Sequence, residues 1–270
     1  MTRERSTVGS LLRSTQAYCQ QLCEKQTLDH GIAFYSSRYP LLPEANQFRE
    51  VVIENAADIP AAFDEAERWF LQQGLICQRW APAMGEAIPE LSDFLGKRGY
   101  ERRRFTALVL TAWVELATSP GVRVLHARAM RAAFRQTCDD RASTIASATE
   151  DSPASREMLV QAHDERLNDP SFDMFVALVD KQPAGHGALY QVGDCARIMD
   201  VSVLASFAGR GVDQAILAHV LALAKRLAIR HIVAQVDEAE PAQRELLESV
   251  GFTPDGVIEE FHRARPISGR

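Results

Sequence analysis

Gly209-Arg210-Gly211 is the segment of this chain best suited to chemistry. It follows a stretch in which Val201 and Val203 alternate as in a half-buried strand, and it precedes an apolar run of helical spacing. A glycine turn between strand and helix leaves backbone N–H groups bare at the positive end of the helix. Such a turn holds a phosphate or pyrophosphate. Glycine allows close approach of the backbone, and Arg210 offers a charge-assisted contact to an anion.

Other clusters promise less. Cys19 and Cys23 stand four apart on an expected helix, without the second pair that a metal site needs, so no metal is expected. Five cysteines at scattered positions make no disulfide framework. Lys97, Arg98, Arg102, Arg103 and Arg104 read as a solvated helix end and strand edge. A net charge of −6 and a pI near 5.7 argue against nucleic acid as the main partner. The opening MTRERSTVGSLLRS has no apolar signal core, and no segment approaches ~18 uninterrupted apolar residues. The expectation is a cytoplasmic protein with no membrane partner.

The elements that must position the loop can be read from periodicity and punctuation. In the N-terminal half, helices are expected over 8–26, 59–73 and 89–97, and strands over 32–40, 48–53, 75–80 and 104–113. Trp69, Phe70, Trp80 and Trp113 are candidates for the core or an inter-domain face. Thr118-Ser119-Pro120-Gly121 is a turn cluster that divides 1–117 from 118–270. Beyond it come a strand (122–126), a helix (130–137), a polar stretch (139–155) read as a loop, and a helix (156–166). Three antiparallel strands follow (172–179, 185–192, 197–204), then a helix (212–227), a strand (230–236), a helix (241–250) and a closing strand (256–262). The order βααβββαβαβ predicts an α/β fold, in α+β form with a mixed sheet.

The two halves echo one another. LQQGLICQRW followed by PELSDFLGKRGYERRRFTAL resembles RLAIRHIVAQV followed by AQRELLESVGFTPDGVIEEF. Gly99-Tyr100 then corresponds to Gly251-Phe252, an offset of 152 (251 − 99), which suggests a duplicated domain.

The ordered set from Phe172 to Phe252 resembles the GNAT superfamily of N-acetyltransferases. The hairpin FVALVDKQPAGHGALY, the V-x-V pair Val201-Ser202-Val203, the loop Ala208 to Asp213 and the final Gly251-Phe252 carry the likeness. It implies two tandem GNAT-like acyl-CoA N-acyltransferase domains, with acetyl-CoA as cosubstrate in the second. Carried over residue by residue, the cofactor set is Val201, Ser202, Val203, Gly209, Arg210, Gly211, Val212, Asp213 and Gln214. The valines would pair through their backbone with the pantetheine arm. The pattern departs from the family at Ala208 (usually Arg or Gln), Asp213 (Gly or Ala), Glu240 (often Asn) and Leu247 (often a proton-donating Tyr). In the first domain the matching loop, Glu54 to Pro60, has no glycine and carries a proline. Proline removes a donor and the acids repel phosphate, so that domain is expected to have lost the cofactor and to pack against the second, shaping the acceptor site.

The likeness implies an N-acetyltransferase acting on a primary amine of a small molecule, peptide or protein, by direct attack on the thioester. Asp200, Asp237, Glu238, His186 and His219 are candidates for the base, and none is assigned. The alternative is a catalytically silent relative that binds acyl-CoA or a protein partner as sensor or scaffold. A homodimer is compatible with either.

Overall fold

The computed structural model describes residues 6–116, 120–149 and 153–264 (for 141–149, the backbone only). The expected boundary turn at 118–121 falls partly outside them. Among the described residues no helix is long and apolar enough to cross a membrane. The elements are α1 (Thr7–Gln20), β1 (Glu24–Leu28), β2 (Gly31–Tyr35), β3 (Gln47–Val51), α2 (Ile59–Gln72), β4 (Arg79–Pro82), α3 (Pro89–Lys97) and β5 (Tyr100–Leu110). They continue as β6 (Val122–His126), α4 (Arg131–Thr149), α5 (Pro153–Arg166), β7 (Phe172–Val179), β8 (Gln182–Val192), β9 (Cys195–Val203), α6 (Val212–Arg226), β10 (His231–Asp237), α7 (Pro241–Ser249) and β11 (Phe252–Arg263). From β6 onward the order is the expected βααβββαβαβ.

Three expectations give way. Within the polar stretch expected to be a loop, 139–155, the described residues are helical: α4 runs to Thr149 and α5 starts at Pro153. The stretch's Ser, Thr and Asp residues are interspersed with Ala142, Ala146 and Ala148, and no glycine or proline interrupts it before Pro153, which sits at the start of α5. The first helix stops at Gln20, and the polar Glu24–Leu28 forms a strand because β2 pairs with it. Trp113 lies beyond the end of β5 and is 47% exposed, with the Lys225 ammonium 5.9 Å from its ring centroid.

The chain forms two compact units that do not follow a single cut. One, the C-terminal unit, holds 1–14 and 107–255; the other, the N-terminal unit, holds 15–106 and 256–270. Within the C-terminal unit the strand order is β5-β10-β9-β8-β7-β6, and within the N-terminal unit it is β1-β2-β3-β4-β11-β5. The last strand of each repeat therefore starts in its own unit and finishes in the other. Beside β4 lies β11, antiparallel, with Phe261 opposite Trp80 and His262 opposite Arg79.

The duplication is visible element by element. Pro89–Lys97 is matched by Pro241–Ser249, and the start of β5 at Tyr100 by the start of β11 at Phe252. Each unit has its own core. In the C-terminal unit α6 buries Val212, Ile216, Leu217, Val220 and Ala224 against Phe175, Ala177, Ile198 and Ile232. In the N-terminal unit Trp80 packs edge-on to Phe48 (centroids 4.8 Å) and stacks on Phe63 (5.8 Å). Each buried large side chain contributes about 1.5–3 kcal/mol, and each aromatic pair about 0.5–1.5 kcal/mol more.

The exchanged end of β11 is fixed by charge. Both terminal nitrogens of Arg49 donate to Glu260 Oε1 at 3.0 Å, and the two side chains are 5% and 6% exposed. Burial alone would raise the Glu260 carboxyl pKa. The Arg49 guanidinium, the His262 hydrogen bond and Arg79 outweigh it and hold the carboxyl below the usual range. Arg263 reaches Glu67, the Tyr100 hydroxyl (2.8 Å) and the Cys77 carbonyl (3.0 Å).

Two measurements test this architecture. Gly99 and Gly251 both have positive φ (84° and 101°), but a Cβ at Gly99 meets nothing within 4 Å, whereas one at Gly251 would lie 2.0 Å from the Ala112 carbonyl oxygen. Gly99→Ala should cost only the left-handed penalty of about 1–2 kcal/mol, and Gly251→Ala distinctly more, by urea denaturation. Equal losses would refute the close approach. Arg49→Ala should cost about 3–5 kcal/mol near neutral pH, because it leaves a buried carboxylate uncompensated. The folded carboxyl has a depressed pKa, so its pairing stabilises above the ordinary carboxylate range and is lost as pH falls through the folded value. The difference between wild type and Arg49→Ala should therefore shrink on acidification.

Candidate functional site

The site starts from an irregularity in β9. Ala188 pairs with Met199, and His186, two residues back on β8, pairs with Ser202, three residues on. β9 thus carries an extra residue, and Asp200 takes it up at φ 56°. Such a bulge bends its strand and sharpens the twist. The consequence appears on the other edge. β9 pairs in parallel with β10 from Cys195–His231 to Ile198–Ala234. Beyond that point β10 continues to Asp237 and β9 to Val203, while Ser202 and Val203 stay paired with β8. Past the bulge the two parallel strands part, and the backbone of Val201, Ser202 and Val203 lines a wedge-shaped opening, each residue half-buried.

The opening leads to the N-terminus of α6. A 3-10 turn, Ala205–Phe207, carries the chain into Gly209 (φ 74°) and Gly211 (φ 70°), the latter the N-cap of the helix. Both dihedrals are left-handed, which explains glycine there. The N–H groups of a first helical turn have no partner within the helix. Val212 anchors this end in the core at 1% exposed, while Gln214 is exposed. The loop thus presents backbone N–H groups at the positive end of α6. Its side chains are engaged otherwise: Arg210 pairs with Asp180 at 3.2 Å and lies over the Phe207 ring. Asp213 Oδ1 accepts the Gln214 N–H at 2.8 Å, the role of an early-turn acid.

The N-terminal unit has the same bulge without the opening. Phe48 pairs with Trp80, and Val51, three residues on, pairs with Pro82, with Glu50 at φ 53°. Here the parallel pairing resumes beyond the bulge, and Ala83 N–H donates to the Val51 carbonyl at 3.0 Å. Phe48, Arg49 and Val51 are buried. The counterpart of the wedge is zipped shut.

The titratable candidates disperse. Asp237 Oδ1 accepts the Ala239 N–H at 2.9 Å and shapes a turn, and Glu238 is exposed. His219 packs edge-on against Phe175 at 4.6 Å; burial, then Arg226 and His126, lower its pKa, so the ring is neutral near pH 7. Leu247, in the position of the family's tyrosine, is 5% exposed and belongs to the core. His186 and Asp200 stay near the bulge. Thr137 Oγ1 donates to the Phe134 carbonyl at 2.8 Å, so it accepts from His186 Nδ1 at 3.0 Å, which places a proton on that nitrogen. Asp200 Oδ2 lies 3.8 Å from His163 Nε2. Periodicity places His163 on a helix and nothing more; only the fold brings α5 to the bulge. Among the described residues no His, Cys, Asp and Glu cluster could hold a metal.

A family model for the acetyltransferase (GNAT) family matches residues 139–252. No curated protein matches the chain. Solved structures share its fold along most of its length. A functionally unknown conserved protein of Staphylococcus epidermidis is 15% identical, with 90% of this chain and 95% of that one covered and a TM-score of 0.69. A GCN5-related N-acetyltransferase from Kribbella flavida is 13% identical, with 97% of each covered and a TM-score of 0.65. A tandem GNAT protein from the clavulanic acid biosynthesis pathway is 13% identical, with 96% and 95% covered and a TM-score of 0.57. Residues 139–252 thus match the model of the acetyltransferase (GNAT) family, and the fold along most of the chain is that of these solved structures.

Proposed function

We propose that the C-terminal unit transfers an acetyl group from acetyl-CoA to a primary amine of a small molecule or peptide. The observation that carries this reading is the wedge beyond Ile198 and Ala234, which leads to left-handed glycines at a helix N-terminus. The bound cosubstrate supplies an activated thioester. Val201 and Val203 would pair through their backbone with its pantetheine arm. The loop from Gly209 to Gln214 would hold the pyrophosphate by N–H groups and helix dipole. Holding thioester and amine together replaces a bimolecular encounter by a local one, and a backbone N–H near Val203 would stabilise the developing oxyanion. The closed β3–β4 pairing favours the C-terminal unit as the one that binds.

A second reading has its own support. Leu247 leaves no proton donor in the position where many relatives have one, and Asp213 puts a negative charge beside the anion cradle. A silent member that binds acyl-CoA as a sensor would tolerate both.

Acetyl-CoA or CoA at ~100 times its dissociation constant should stabilise the protein by roughly 2.7 kcal/mol in a thermal melt. Absence of any shift at millimolar ligand would exclude both readings of this site. Gly211→Asp should abolish the shift, while Asp58→Lys in the N-terminal loop should leave it intact. Equal loss would mean that the N-terminal unit also binds. Thiol release against a panel of amines then separates transferase from sensor.

A further inference from the structure

Gly185 and Gly187 on β8 do not have the positive φ that explains glycine in the turns of this chain. Lack of space explains them instead. A Cβ on Gly185 would lie 2.4 Å from the Ser202 carbonyl oxygen and 3.2 Å from both Val203 Cα and Val212 Cγ1. A Cβ on Gly187 would lie 2.5 Å from Ile216 Cγ2 and no nearer than 3.4 Å to Val201. Side chains alternate along a strand, so the two glycines share one face of β8. His186, between them, meets Phe134 and Thr137 of α4 on the other face. The two obstructions differ in kind. Ile216 Cγ2 belongs to a side chain. The Ser202 oxygen is backbone, in the stretch that stays tied to β8 beyond the bulge. Ser202 pairs with His186 and Val203 with Gly185, and the Leu204 N–H donates to the Ala184 carbonyl at 2.9 Å. Gly185 therefore faces both parts of the site at once. On one side are Ser202 and Val203; on the other is Val212, which follows the N-cap Gly211 of α6.

We propose that Gly185 is a positioning residue that sets the distance between the strand edge of the wedge and the N-terminus of α6. This role rests on the acetyl-CoA reading of the site, because only a ligand that spans both parts feels the distance between them. Its pantetheine arm would lie along Val201 to Val203 and its pyrophosphate at Gly209 to Gln214. Ordinary contact begins near 3.4 Å, so an alanine at 185 must move the Ser202 oxygen, or β8 itself, by about 1 Å. A misplacement of about 1 Å costs a positioned ligand up to roughly 10²-fold. Contacts linked in one ligand lose their mutual gain when geometry keeps them from being made together. Each part keeps its own local geometry: the strand edge remains paired with β8, and the glycine turn is set by its own φ angles. A larger residue at 185 therefore weakens the whole ligand and spares its halves. The N-terminal unit holds the comparison. A Cβ on Gly31 of β2 would lie 2.8 Å from the Arg49 carbonyl oxygen, again a backbone obstruction, but beside the bulge beyond which β3 and β4 rejoin.

The test uses the full chain with acetyl-CoA, and with pantetheine and ADP as probes of the two parts. Gly185→Ala should raise the acetyl-CoA Kd roughly 10²-fold. Titrations followed by NMR should show pantetheine and ADP binding to it as they bind to wild type. Gly31→Ala should lower the melting temperature as Gly185→Ala does, and leave all three ligands at their wild-type affinity. Should Gly185→Ala not fold, Val212→Ala withdraws the helix side of the same contact and should show the same split in smaller measure. Loss of pantetheine and ADP together with acetyl-CoA would mean that the glycine only supports the fold, which overturns the proposal. An unchanged acetyl-CoA Kd in the variant that folds overturns it too, and leaves the acetyl-transfer reading standing. A wild-type chain that binds no acetyl-CoA overturns that reading and this role with it.

Discussion

One extra residue in β9 governs the C-terminal unit. Parallel strands are held by evenly spaced hydrogen bonds, and as long as that ladder continues the backbone has nothing to offer a ligand. The bulge at Asp200 uses a left-handed conformation to bend β9 away from β10 while leaving it attached to β8. Three things follow from that bend: an unzipped backbone edge, a route to the N-terminus of α6, and a carboxylate brought beside α5. The strain at Asp200 is small on the scale of the sheet, and the pairing on the β8 side holds it in place.

The N-terminal unit shows that such a bulge is not sufficient by itself to part the strands. Glu50 adopts the same left-handed conformation, yet β3 and β4 rejoin at Val51 and Pro82. Arg49 lies beside that bulge and is buried against Glu260 and Gln47. A side chain that needs a buried counter-charge commits this part of the unit to structure. Glu67, Tyr100 and Arg263 add a second polar clamp. The adjoining Cys77 thiol, pushed up to about 12 by burial and then by Glu67, is an inert core group.

Much of the architecture was legible. Gly99-Tyr100 and Gly251-Phe252 marked the repeat because a helix that ends in a left-handed glycine and restarts as a strand leaves a short, residue-specific trace. The hairpin turns and α6 were likewise set by local pattern. The stretch 139–155 reads as a loop because Ser, Thr and Asp are common in loops, whereas the alanines among them and the absence of a breaker before Pro153 favour the helix that runs to Thr149. The exchange of β5 and β11 could not be read at all. Alternation tells a strand which face to bury, not which neighbour to pair with.

The same division holds for the site. The repeat, the mixed α/β order and the glycine turn at the head of α6 are written in the amino-acid order, since each depends on residues adjacent along the chain. Tertiary structure alone decided that β9 parts from β10, that β3 does not part from β4, and that His163 meets Asp200. Those outcomes depend on hydrogen bonds and charges between segments tens of residues apart, and a local pattern carries no record of which distant partner completes them.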